Sequence, residues 1–150
     1  MLLYRISNCV HAHDISGTGA KLFGGRWNSI GMPLHYMAAS RALAALEILA
    51  NKNSMTHSDT LCLTVFDIET ELVKTLTRND LPKNWKDCPS PSSLAKIGDK
   101  FIKEKEYLLL KVPSVLIEDE FNFLMNVHHS VANTIKILEV KPFSFNDRLI

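Results

Sequence analysis

GGRWNSIGMPLHYMAASRALAALE, residues Gly24 to Glu47, passes from a turn through a short strand into a helix, and its reading decides the fold. Gly24, Gly25, Asn28, Ser29, Gly31 and Pro33 are turn formers and exclude a regular element before Leu34. Leu34 to Ala38 reads as a short strand. Ser40 is a suitable N-cap, and Leu43, Leu46 and Ala50 recur at helical spacing, so a helix is predicted to about Asn51. Three residues in this stretch are not what packing alone requires. Arg26 follows two glycines, where a planar guanidinium can meet phosphate or carboxylate; the plainer alternative is a surface arginine in a turn. Trp27 beside it reads as a core anchor. Tyr36 can offer its ring to a planar heterocycle and its hydroxyl to a ribose, or serve as a half-buried strand residue. Glu47 is the single charge in Ala42 to Ala50, and no lysine or arginine lies three or four residues away. It must either face a cleft or be bridged from another element.

Outward from this segment, Leu2 to Ile6 reads as a strand and Ser7 to Gly19 as a polar loop. LCLTVFDI, Leu61 to Ile68, suits a buried strand. Asn79 to Ser93 holds three prolines and reads as a long surface loop, with Ser93 capping a helix through Lys105. Tyr107 to Val112 and Ser114 to Ile117 read as strands broken at Pro113, Thr134 to Val140 as another, and Pro142 to Ile150 lacks periodicity. No repeat or linker divides the chain. The expectation is one α+β domain over residues 1–150, with a mixed, mostly antiparallel sheet and flanking helices.

The 150 residues have a net charge of +1 and a mean hydropathy of +0.01, so neither a membrane helix nor a basic nucleic-acid surface is indicated. The start of the chain lacks a signal-peptide core, which points to the cytoplasm. Cys9, Cys62 and Cys88 are odd in number and form no CxxC pair, so reduced thiols are expected. His11, His13, His128 and His129 lack the companions of a metal site, and no metal is expected. Neither GxGxxG nor GxxxxGK[ST] occurs, so Rossmann and P-loop cofactor sites are not indicated. Ser114 has no GxSxG context and no evident histidine–acid pair; a hydroxyl that binds phosphate or ribose stays open.

Several blocks together resemble the RES-domain family of toxins from toxin–antitoxin pairs: Tyr4-Arg5-Ile6, GGRWNSIGMPLHYMA at Gly24 to Ala38, Glu47 in its helix, Leu81-Pro82 with Trp85, LLLKVPS ending at Ser114, Asn122 and Asn126 with His129, and PFSFNDRL at Pro142 to Leu149. The resemblance runs along nearly the whole chain. It implies a fold similar to ADP-ribosyltransferase toxins and an enzyme that destroys NAD+ by phosphorolysis or hydrolysis of the nicotinamide–ribose bond. On the matching positions, Arg26 would hold a phosphate of the dinucleotide, Tyr36 would line the nicotinamide pocket, Glu47 would face the ribose, and Ser114 would bind near the phosphates or the nucleophile. Arg5 would be a second anion contact. NAD+ would be substrate rather than cofactor, with inorganic phosphate as co-substrate. A helix-turn-helix antitoxin is the implied protein partner, and a homodimer is compatible with the sequence. Val127 and Ser130 replace prolines usual in the family, so Asn126 and His129 are left outside the implied site.

Three other activities stay in view. The same site could transfer ADP-ribose to a protein; from different classes, the chain could be an RNA-cleaving toxin or a nucleotide-binding module that leaves NAD+ intact. An RNase calls for a basic groove, which the charge balance does not favour.

Overall fold

A computed structural model describes residues 1–51 and 60–150. Seven strands make one sheet in the order β4-β5-β6-β2-β1-β3-β7. They are β1 (Leu2–Asn8), β2 (His35–Ala38), β3 (Leu61–Asp67), β4 (Val73–Thr75), β5 (Leu109–Pro113), β6 (Phe121–Met125) and β7 (Lys136–Phe143). Only β4 and β5 run parallel; every other neighbouring pair is antiparallel, so the predicted mixed, mostly antiparallel sheet is present. The described helices are α1 (Thr18–Phe23), α2 (Arg41–Ala50) and α3 (Ser92–Glu104).

The helix predicted from Ser40 is α2. The Ser40 hydroxyl accepts from the Leu43 amide at 3.1 Å, satisfying one of the donors a helix start leaves open. Its packed face differs from the expected one. Leu46 and Ala50 are exposed, while Leu43 and Ala44 are buried and Glu47 and Ile48 half-buried, so Glu47 lies on the inward stripe. In α3, Leu94, Gly98, Phe101 and Ile102 form the buried stripe.

Both of these helices cover the same face of the sheet. Under α2 lies a cluster of Ile6, Ala38, Leu43, Ala44, Leu61 and Leu63. A second cluster joins α3 to Leu110, Val112 and Leu124 through Trp27 and Trp85. The opposite face buries Leu3, Met37, Phe66, Leu109 and Phe123. β2 and β6 lie between the two helix-covered clusters.

Four expectations are corrected. Ser114 to Ile117 is not a strand but the turn between β5 and β6: the Ser114 hydroxyl accepts from the Leu116 and Ile117 amides at 3.1 and 3.2 Å, and the Ser114 amide donates to Glu120. The polar run expected as loop to Gly19 gives way to α1 at Thr18, and β4 and β6 fall where no strand is predicted. Cys9 and Cys62 are joined in a disulfide rather than reduced; the antiparallel register sets Ser7 opposite Cys62, which brings Cys9 within 4.9 Å (Cα–Cα) of it. Cys88 is free and exposed. No helix among the described residues is long and apolar enough to cross a membrane.

Candidate active site

Sheet register sets which side chains share a face beneath α2. Tyr4 stands opposite Ala38, Ala38 opposite Asn122, and Asn122 opposite Val112, so these four project from the same face across four strands. From α2, Glu47 reaches down to this row and accepts a hydrogen bond from Asn122 Nδ2 on Oε1 at 2.6 Å. Of the two alternatives for an isolated helix carboxylate, the bridged one is therefore met, but by a neutral amide. No cation forms a salt bridge with Glu47 among the described residues. Burial pushes its carboxyl above the ordinary value, while the Asn122 hydrogen bond and then the Arg26 charge act in the opposite direction.

Arg26 thus acts electrostatically on Glu47, although 21 sequence positions separate them. It sits at the tip of the turn between α1 and β2, closed by pairing of Gly25 with Asn28. Its Nη1 donates to the carbonyls of Trp85 and Asp87 at 2.9 and 3.1 Å. Those contacts fix the half-buried guanidinium without cancelling its charge, since both acceptors are neutral. The edge formed by Nε and Nη2 makes no hydrogen bond to the described residues. Such a planar pair of donors matches a phosphate or carboxylate.

The turn around Arg26 is tied down from every side. Buried Asn28 donates through Nδ2 to the carbonyls of Ala20, Ser29 and Met32 and accepts the Tyr36 hydroxyl at 2.6 Å. The same hydroxyl accepts the Trp27 amide at 3.2 Å. Asp99 of α3 accepts from the amide and hydroxyl of Ser29. Trp27 itself is buried, as its core assignment requires.

Tyr36 therefore differs from expectation in one respect. Its hydroxyl is committed to the turn and is not free for a ribose, and burial raises its pKa further, so it stays a neutral phenol. The ring packs against the cluster under α3. Ser114 is buried one residue past β5, beside the strand bearing Asn122. Its two acceptor positions serve its own turn, which leaves the hydroxyl proton as its one donor; it makes no hydrogen bond to Arg26, Tyr36 or Glu47.

Arg5 is not part of this group. One residue on from Tyr4, it faces the opposite side of the sheet, where it lies opposite Thr64 and donates to the Asp14 carbonyl at 3.0 Å. Burial lowers its pKa, with Asp14 acting the other way. Near it, burial drives the His35 imidazole down to about 3, helped by the Arg5 charge, so His35 is neutral above that range. Asn126 and His129 also have structural duties: Asn126 Nδ2 donates to Ile102 at the end of α3, and His129 Nδ1 accepts the Val131 amide.

The structure thus brings together Arg26, Tyr36 and Glu47 on one face and adds Asn122, while Ser114 stays buried in the turn after β5. A fixed cation with a free bidentate edge, opposite a half-buried carboxylate that no cation neutralises, is an arrangement for a ligand carrying both an anionic group and a centre that becomes positive.

The family described as RES domain matches residues 2–146. A protein named Prs ADP-ribosylating toxin from Sphingobium sp. (strain YBL2) is 34% identical over 142 residues, covering 93% of this chain and 88% of that protein. One named Toxin Res from Yersinia enterocolitica is 35% identical over 146 residues, covering 97% and 95%. In fold, the chain is similar to one in the crystal structure of the M. tuberculosis MbcT–MbcA toxin–antitoxin complex, with a TM-score of 0.76 at 19% identity, covering 95% of this chain and 84% of that one. The chain belongs to the RES-domain toxin family.

Proposed function

We propose that this protein consumes NAD+ by breaking the bond between nicotinamide and ribose, and that it does so as the toxin of a toxin–antitoxin pair acting in the cytoplasm. The observation that carries the proposal is the juxtaposition of Glu47, half-buried and held by neutral Asn122, with the guanidinium of Arg26 that acts on it.

Nicotinamide leaves NAD+ as a neutral molecule, so its departure needs little acid catalysis. The barrier lies in the oxocarbenium-like ribose that remains. Glu47, with its charge not cancelled by a salt bridge, would stabilise that cation, as carboxylates do in glycoside cleavage. Arg26 would grip the pyrophosphate through its Nε and Nη2 edge and fix the reacting carbon beside Glu47. The Tyr36 ring would border the nicotinamide. Phosphate or water would then bond to the ribose carbon as the bond to nicotinamide breaks and its electron pair leaves on nicotinamide; the Ser114 hydroxyl would donate to the incoming group, and the proton released when water attacks would pass to Glu47 or to bulk solvent. An antitoxin that covers Arg26 and Glu47 would silence the enzyme.

The ADP-ribosylating name of the Sphingobium relative supports a second outcome, in which a protein side chain takes the place of phosphate or water. Incubation of purified protein with NAD+, with and without phosphate and with a cell extract, separates these. ADP-ribose 1″-phosphate, free ADP-ribose and protein-bound ADP-ribose report phosphorolysis, hydrolysis and transfer. Intact NAD+ under all three conditions overturns the proposal and leaves a binding module or a toxin with another substrate.

A further inference from the structure

We infer that Asn122 is a positioning residue for Glu47: it holds one carboxylate oxygen so that the other faces the ligand, and it does this without neutralising the charge. The inference rests on the NAD+-cleaving role proposed above, which it deepens by naming the group that prepares the carboxylate.

Asn122 lies on β6, whose two edges are occupied by β5 and β2, so its backbone is fixed on both sides. Its neighbours in the row are Ala38 and Val112, and its strand otherwise consists of Phe121, Phe123, Leu124 and Met125. Strands at such positions favour β-branched or aromatic side chains, and asparagine is among the residues they disfavour. Glu47 reaches this row from α2, with Oε1 on Asn122 Nδ2 at 2.6 Å and no described partner on Oε2.

The chemical type of the partner is informative. A lysine or arginine here would lock Glu47 into an ion pair and cancel the charge needed opposite an oxocarbenium-like ribose. An apolar residue would leave a half-buried carboxylate with one hydrogen bond fewer and favour its protonated form. An amide avoids both. It donates to the ionised form, favouring it against burial, and it restrains a side chain with three rotatable bonds through one with two.

The charged and titratable groups around Glu47 are few among the described residues. Arg26 acts on it from the turn before β2. Arg41, on its own helix, stacks over the Tyr4 ring at 4.9 Å. Tyr4 and Tyr36 project from β1 and β2 on the same face as Asn122, and Glu120 precedes β6 two residues before Asn122.

The test is the titration of Glu47 in ligand-free protein, followed by carboxyl-carbon NMR and assigned by the signal missing from Glu47→Gln, in wild type, Asn122→Ala and isosteric Asn122→Asp. Both Asn122 variants should titrate Glu47 at higher pH, with Asn122→Asp moving it further because it replaces a donor by an acceptor. NAD+ turnover should fall about tenfold at neutral pH, the worth of one hydrogen bond to a charged group, and more at acidic pH, with KM little changed. A merely structural Asn122 would lower the melting temperature and leave the titration where it was; that result in either folded variant overturns the inference. Should wild-type protein leave NAD+ intact while the titration still moves, the proposed reaction fails and the positioning of Glu47 stands.

Discussion

At the scale of single residues, Glu47 shows how a site can work against the stability of its own fold. Burial raises its pKa in the folded state, so the folded protein holds the proton more tightly than the unfolded chain does. A raised carboxyl pKa contributes stability below the unfolded value and loses it as pH rises through the folded one. At neutral pH the ionised carboxylate is thus a burden on folding. Glu47→Gln keeps an oxygen to accept from Asn122 and removes the charge. It should unfold no earlier than wild type at pH 7, with any advantage shrinking as pH falls into the ordinary carboxylate range. Turnover of NAD+ should drop about a hundredfold to a thousandfold, the usual contribution of a fixed electrostatic group. Thermal melts at pH 7 and pH 4 beside a turnover assay check both halves; a melting temperature several degrees below wild type at pH 7 would show that Glu47 is a structural residue. Glu47 was legible in the sequence because an isolated charge among alanine and leucine stands out. Its partner was not, because Asn122 meets it only through a strand pairing 75 positions away along the chain.

Among the elements, the turn carrying Arg26 depends on a close approach by α3. A Cβ placed on Gly98 would lie 1.6 Å from the Trp27 carbonyl oxygen, a backbone atom that no rotamer change can move aside. Two effects oppose each other in Gly98→Ala. Alanine favours a helix interior by about 1 kcal/mol, whereas overpacking a fixed contact costs roughly 1–3 kcal/mol and sometimes more. The overlap is severe, so the second should win: the variant should be less stable and, by shifting the turn, should weaken NAD+ binding through Arg26. Gly19→Ala in α1 is the control, since nothing lies within 4 Å of its added Cβ and it should be neutral or stabilising. Melting temperatures and KM values for the pair decide the matter, and a Gly98→Ala protein as stable as wild type would mean α3 is free to retreat. Local signals foretold α2, α3 and the strands at Leu2, Leu34, Leu61 and Tyr107, all of which have a cap, a periodicity or an apolar run of their own. They missed β4, a three-residue edge strand, and β6, whose identity comes from its hairpin with β5 and its pairing with β2. The same nonlocality misplaced the inward face of α2 and turned Ser114 to Ile117 into a strand, where the serine hydroxyl instead closes a turn after Pro113.

For the whole molecule, register decides what lies together. It separates Arg5 from Glu47 by putting them on opposite faces, although Tyr4 beside Arg5 shares the face of Asn122. It also joins Cys9 to Cys62, a pairing that an odd, widely spaced set of cysteines did not suggest. The bond spans 53 positions, and the chain-entropy model assigns a closed loop of that size about 4 kcal/mol of stabilisation. That is a large share of the ~5–15 kcal/mol typical of a domain. The cytoplasm expected from the sequence keeps thiols reduced, so the protein there would forgo this contribution and rely on its packed sheet. Labelling denatured protein with a thiol reagent should therefore modify one cysteine, Cys88, before reduction and three after it. Melts with and without reductant should differ by several degrees or more, the oxidised form being the more stable. Three labelled cysteines without reduction, in protein purified under air, would mean that Cys9 and Cys62 are adjacent thiols and that the fold holds without their bond.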